Sequence, residues 1–331
     1  MSTVQSAAER PEPTPQRKAA IAHAGGFDHA SVARVSPIRD FDLNRTIFKT
    51  LEGGLQRFVM ATRVGKDVQF DAAAAQEIDA AYRAALDANP LPPVDPDLLQ
   101  FLVRECDFDV EHADGSFLDH LYFCFEYSAQ HYPDHSPRIM LLHSILGTGT
   151  NTFAMGAEKI PALREHLTDA EWTHIEAFPS MLRLLYDLPL RQELRSKLGR
   201  WDTLQSITLR RVIDNAPIEL SADAFFAQLN FNLMHLLDFL PVSNWAAHQG
   251  VPSFIVFRDL HALMEEAGKR AFPLHYKQAD GPRGLTNEDT SFAGWLTTRV
   301  PVGVQERMAA KSVRRFSERA GHDIGYTIDW G

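Results

Sequence analysis

The stretch from Leu118 to Gly147, LDHLYFCFEYSAQHYPDHSPRIMLLHSILG, decides the fold class of this chain. It consists of two apolar runs separated by a short polar loop that contains proline. A capping box at 116–119 (SFLD) predicts that a helix begins at about Phe117. Ser136 and Pro137 form a good N-cap and first-turn pair for a second, very apolar helix, and Gly147 is expected to end it. The stretch therefore predicts two adjacent, antiparallel, buried helices.

Helical periodicity continues along most of the remaining chain. A second capping box, from Thr168 to Glu171, opens a helix that reaches about residue 187. Residues 199–220 are interpreted as a polar connection, and no alternation is long enough to predict a sheet. The fold class predicted is therefore all-α, a globular helical bundle with residues 1–36 as a flexible tail and 37–331 as a single helical domain. Further helices are predicted at about 71–87, 96–105, 222–240, 253–268 and 302–319.

Composition excludes several classes of protein. The 331 residues carry a formal net charge of −10 with both signs interspersed, so we expect no nucleic-acid partner. No run of 18 apolar residues predicts a membrane span, and the polar N-terminus lacks the features of a secretory signal. The two cysteines, Cys106 and Cys124, argue against disulfides and against a thiolate metal site, and both are interpreted as small buried apolar side chains. These features predict a cytoplasmic protein, and they leave its oligomeric state open.

Two histidines in apolar helices are the strongest chemical signal. His120 lies one turn into the first predicted helix, and His143 lies in IMLLHSILG, which has almost no polar face. Either alone is typical of a core histidine whose nitrogens are satisfied, but two in neighbouring helices indicate a metal site, because imidazole is the commonest metal ligand. A third buried helix, 222–240, contains His235 and Asp238 on one face. Asp238 is interpreted either as the partner of a polar side chain or as a metal ligand, because a buried carboxylate needs compensation.

The motifs DHL at 119–121 and LLHS at 141–144 resemble those of the HD-domain superfamily, and most closely an uncharacterised HD-like family. The resemblance covers about 110–242 and implies an HD-like core at about 95–242, followed by a C-terminal helical extension at 243–331. It implies that His120 and His143 are metal ligands and that Asp238 is the late aspartate of the set. Ser144 replaces the aspartate that bridges two metals in dinuclear members, so a single metal is expected.

Two histidines and one carboxylate form the ligand set of non-haem Fe(II) oxygenases. The sequence therefore favours a mononuclear Fe(II)-dependent oxidation of a small organic substrate, although Zn²⁺ or Mn²⁺ would fit the same ligands. The alternative is metal-dependent hydrolysis, in which His112 or His174 moves a proton. A third interpretation, supported by Ser144, is a degenerate HD-like fold that serves as a binding or regulatory module.

Overall fold

The structure is a computed structural model that describes residues 111–112, 115–147, 157–237, 252–272 and 301–331, together with four isolated positions between 95 and 101. Helices make up most of these residues. The helices are α1 (Phe117–His131), α2 (Arg138–Leu142), α3 (Ile160–Arg164), α4 (Asp169–Tyr186), α5 (Pro189–Ser196), α6 (Ala222–Leu237), α7 (Pro252–Glu266) and α8 (Val302–Arg319). The strands are β1 (Glu111–His112), β2 (Gly115–Ser116), β3 (Ser206–Arg210), β4 (Pro217–Ser221) and β5 (Thr327–Asp329), and short 3-10 helices cover Ala157–Lys159 and Leu198–Thr203. The predicted flexible tail lies outside the described residues.

The helix predicted from Arg138 onwards is shorter than expected. α2 ends at Leu142, and the next four residues form turns before Gly147, whose φ is 133°. The cause is local competition for the carbonyl of Met140, which accepts a hydrogen bond from Nδ1 of His143 at 2.6 Å. The turns that follow are tighter, since Ile145 bonds back only three residues, to Leu142, at 2.9 Å. His143 is therefore held at the end of a short helix rather than inside a long one.

The two N-terminal signals near α2 and α4 have different outcomes. The capping box of α4 is confirmed: Thr168 Oγ1 accepts a hydrogen bond from the amide of Glu171, and the Glu171 carboxylate accepts one from the amide of Thr168. The predicted N-cap role of Ser136 is wrong, because its hydroxyl instead donates to Glu171 Oε1 at 2.6 Å. Glu171 thus joins the start of α2 to the start of α4.

The all-α prediction is wrong for residues 199–220. β3 and β4 form an antiparallel hairpin, and β5 pairs antiparallel with β3 to give the order β4-β3-β5. Each hairpin strand alternates buried and more exposed residues, with Ile207, Leu209, Ile218 and Leu220 on the inner face. The alternation of apolar and polar residues in each hairpin strand covers only five residues, which is too short to predict a strand reliably from sequence. The third strand, β5, lies more than a hundred residues further along the chain. The protein is therefore mostly helical with one small sheet.

α4 is the central element of the structure. It packs against α2, α5, α6, α7, α8, β3 and β4. α1 contacts both α2 and α6, so α1, α2, α4 and α6 enclose one part of the core. Within the described part of the chain, no helix is both long and apolar enough to cross a membrane.

Candidate metal centre

Three buried side chains with metal-binding atoms meet where α1 contacts both α2 and α6. Cys124 comes from α1, His143 from the end of α2, and His235 from the last turn of α6. Their exposed fractions are 0%, 0% and 5%. One ligand atom from each lies within 4.8 Å of the other two. These three residues are the metal cluster, and a buried Cys/His/His group of this kind could hold a metal ion.

The hydrogen bonds of His143 determine its tautomer. A backbone carbonyl only accepts, so the 2.6 Å contact with Met140 O places the ring proton of His143 on Nδ1. His143 Nε2 then presents its lone pair to His235 Nδ1, which lies 2.9 Å away. A ligand histidine that donates its other ring N–H to a carbonyl is the usual arrangement in metal sites. Met140 O therefore orients His143 as a ligand from the second coordination shell would.

Phe178 holds the two histidine rings in place. It is fully buried in α4, and its ring meets His143 edge-on at a centroid distance of 4.6 Å and His235 at 5.4 Å. The two imidazoles are themselves T-shaped at 4.9 Å. Such edge-to-face contacts restrict ring rotation, so the nitrogen atoms of the metal cluster have a fixed direction.

His174 belongs to the same interface, one turn of α4 before Phe178. Gln228 Nε2 donates to His174 O at 2.8 Å and contacts His174 Nδ1 at 3.0 Å, so Nδ1 is an acceptor and the ring proton is on Nε2. The ring packs against Phe231 and against His135, which is half-buried. Burial, and to a smaller extent the neighbouring His135, lower the pKa of His174 to about 4. His174 is therefore neutral at physiological pH.

Another buried histidine, His322, lies at the other end of α4. It contacts Ser180 Oγ, Arg183 Nη1 and the carbonyl of Arg210 at 3.0–3.2 Å. Burial is the main cause that lowers the pKa of His322 to about 4, with a smaller contribution from Arg183. A histidine with a lower pKa in the folded state than in the unfolded chain destabilises the fold as the pH falls between the two values.

We therefore expect the free energy of unfolding to fall between about pH 6.5 and pH 4. At pH 5, where the unfolded histidine is protonated and the folded one is not, each buried ring costs about 2 kcal/mol relative to pH 7. His174→Gln and His322→Gln should each reduce the pH dependence by that amount. Urea unfolding of each variant and the wild type at pH 7 and pH 5 measures this difference. An unchanged slope in either variant would contradict a neutral, buried ring at that position.

The structure brings only some of the predicted site residues together. His143 is in the metal cluster, and His174 is one helical turn from Phe178. His120 lies in the first turn of α1 and His112 in β1, but their side chains are outside the described part of the structure, as is all of Asp238. Their predicted roles as ligands or proton carriers remain predictions.

Sequence reasoning missed two members of the metal cluster. His235 was considered as a partner of Asp238, whereas the structure pairs it with His143, a residue from a helix 92 positions earlier. Cys124 was interpreted as a small apolar side chain, and its burial is confirmed. Its proximity to two histidines is the feature that the sequence analysis did not predict. The signal available was its position four residues after His120, on the same helical face.

No family model, no curated protein and no solved structure matches the chain. The resemblance to the HD-like family remains a prediction from short motifs.

Proposed function

We propose that the protein is a mononuclear metal-dependent enzyme whose ion is held by Cys124 Sγ, His143 Nε2 and His235 Nδ1. The observation that carries the proposal is the convergence of these donors within 4.8 Å in a fully buried part of the core. The three donors are almost completely buried, and each comes from a different helix or helix end. Burying two imidazoles and a thiol together is readily explained if they share an ion.

The donor set favours Zn²⁺. A thiolate and two imidazoles are ligands that zinc prefers, and three protein ligands leave one tetrahedral position open for water or substrate. A zinc ion held by these residues would lower the pKa of a bound water and polarise a carbonyl or ester. The reaction class supported by this donor set is hydrolysis of a small organic substrate, with neutral His174, one helical turn from Phe178, as the candidate for proton transfer.

Fe(II) is the second candidate because imidazole nitrogens are also ligands that iron accepts. Iron would support the oxidation of a small metabolite that the sequence favours, with Asp238 as a further ligand.

Metal analysis of the full chain, purified without chelators, tests the proposal. We expect about one ion per chain in the wild type and a small fraction of that in Cys124→Ser, His143→Gln and His235→Gln. His322→Gln is the matched control, because His322 and His235 have the same exposed fraction, 5%. Asp238→Asn reports whether the predicted carboxylate also binds the ion.

The identity of the ion selects the reaction to assay. Zinc directs the assay to ester and phosphoester hydrolysis, and iron to oxygen consumption. Wild-type protein with substoichiometric metal, unchanged by His143→Gln, contradicts both enzyme functions. Stoichiometric metal with neither activity contradicts catalysis and leaves the binding module as the function.

A further inference from the structure

A buried polar strip lies beside the metal cluster. It consists of Ser128 Oγ, Ser144 Oγ, Gln228 Oε1 and Asn232 Oδ1. All four side chains are 0% exposed, and none of these atoms has a hydrogen-bond partner among the residues that the structure describes. Native cores pair the large majority of such atoms, and leaving one unpaired costs free energy. Four unpaired oxygens in one region therefore point to a ligand that forms hydrogen bonds.

The strip is distributed over the same three elements that supply the metal ligands. Gln228, Asn232 and His235 are separated by four and then three residues, which places them on one face of α6 over about 10 Å of helix. The other two members also lie close in sequence to a ligand of the metal cluster. Ser128 follows Cys124 by one helical turn, and Ser144 directly follows His143.

The packing of α1 on α6 places two members of the strip between the same two contacts. Tyr132 directly follows α1, and the centroid of its ring lies 5.5 Å from that of Phe231 in α6. Cys124, eight residues before Tyr132, meets His235, four residues after Phe231, in the metal cluster. The two helices therefore run in opposite directions, and both Ser128 and Asn232 fall between these contacts.

The two amides of the strip have fixed orientations. Gln228 Nε2 donates to the carbonyl of His174 at 2.8 Å, and Asn232 Nδ2 donates to the carbonyl of Gln228 at 2.9 Å. Each amide nitrogen is thereby assigned, so Gln228 Oε1 and Asn232 Oδ1 are both acceptors. A ligand that satisfies them must carry an O–H or N–H group. Since the four atoms carry no formal charge, the strip suits an uncharged ligand.

We propose that the buried polar strip binds the hydroxyl group of a small uncharged substrate next to the metal. This inference rests on the proposed function, because the strip borders the residues that would hold the ion. Asn232 Oδ1 accepts the substrate O–H, and Ser128 Oγ contributes a second hydrogen bond. The reacting group of the substrate then lies towards the metal cluster.

The test uses the full chain loaded with Co²⁺ and two thiols of matched size, 2-mercaptoethanol and 1-propanethiol. Both thiols bind Co²⁺ through sulfur. 2-Mercaptoethanol ends in a hydroxyl group, whereas 1-propanethiol ends in a methyl group. Binding is followed by the increase in sulfur-to-cobalt absorption. For each protein, the ratio of the two affinities is measured. The two thiols differ in acidity, but this difference is the same for variant and wild type, so it cancels when their ratios are compared. We expect the preference for 2-mercaptoethanol to fall about fivefold in Asn232→Leu and in Ser128→Ala.

Ser317→Ala is the matched control. Ser317 is also buried, and its hydroxyl lacks a partner in the described structure, but it lies on α8. It should keep the wild-type ratio. Ser128→Ala tests the strip independently should Asn232→Leu fail to fold. An unchanged ratio in folded Ser128→Ala overturns the proposal and is the result expected of a strip that holds water alone. Absence of sulfur-to-cobalt absorption before any thiol is added contradicts the metal site instead.

Discussion

Phe178→Ala is expected to lower the free energy of unfolding by about 3–5 kcal/mol and to weaken metal binding as well. Phe178 is fully buried in the central helix α4, and its ring lies against both His143 and His235. Removing the ring leaves a cavity that neighbouring side chains fill only in part. A loss of this size is a large fraction of the 5–15 kcal/mol typical of a folded domain. The two imidazoles also lose the surface that restricts their rotation.

Urea unfolding and metal analysis of the same samples separate these two effects. Phe257→Ala is the matched control, because Phe257 is also 0% exposed but belongs to α7 and stacks on His261. It should lose comparable stability and retain its metal. Phe178→Leu keeps most of the volume and should cost less than about 1.5 kcal/mol. Full metal occupancy in folded Phe178→Ala would show that the ring does not orient the ligands.

Arg191→Met is expected to destabilise the protein by about 3–5 kcal/mol. The Arg191 side chain is almost completely buried, and it joins its own helix, α5, to α4, α7 and α8. Its Nε donates to Leu185 O at 2.7 Å, and its Nη1 donates to Glu306 Oε1 at 2.9 Å and to Asp259. Removing the guanidinium leaves the carboxylate of Glu306, which is only 18% exposed, without this partner. Leaving a desolvated carboxylate without its partner lowers the free energy of unfolding by more than the intact ion pair contributes to it.

Arg195→Met provides the control for Arg191. Arg195 also binds Asp259, at 3.0 Å, but its side chain is 52% exposed. Because the Arg195 side chain is largely solvated, its pair with Asp259 should be worth less than about 1 kcal/mol. The double variant Arg191→Met with Glu306→Gln should recover part of the loss, because it removes the uncompensated charge. Denaturant unfolding of the four proteins measures both quantities, and equal losses in Arg191→Met and Arg195→Met would contradict the assigned roles.

Local signals predicted much of the helical framework. The start of α1 at Phe117, the capping box of α4 and the bounds of α8 agree with the sequence analysis, because caps and helical periodicity are encoded within a few neighbouring residues. His143 was likewise recognisable as a buried polar residue in an apolar run. Its exposed fraction is 0%.

The remaining features depend on contacts between distant parts of the chain. β5 pairs with β3 across more than a hundred residues, and this pairing completes a sheet that five-residue alternations alone did not predict. The early end of α2 has a local cause instead, the hydrogen bond from His143 to the carbonyl of Met140 three residues before it, which helical periodicity does not encode.

The sequence by itself determined that polar, metal-binding side chains are buried in apolar helices. Only the tertiary structure decided which of them meet. His143 and His235 are neighbours because α2 and α6 pack on the same central helix, and Cys124 joins them because α1 contacts both elements. Periodicity specifies which face of a helix is buried, but the partner of that face depends on how helices far apart in the chain pack together.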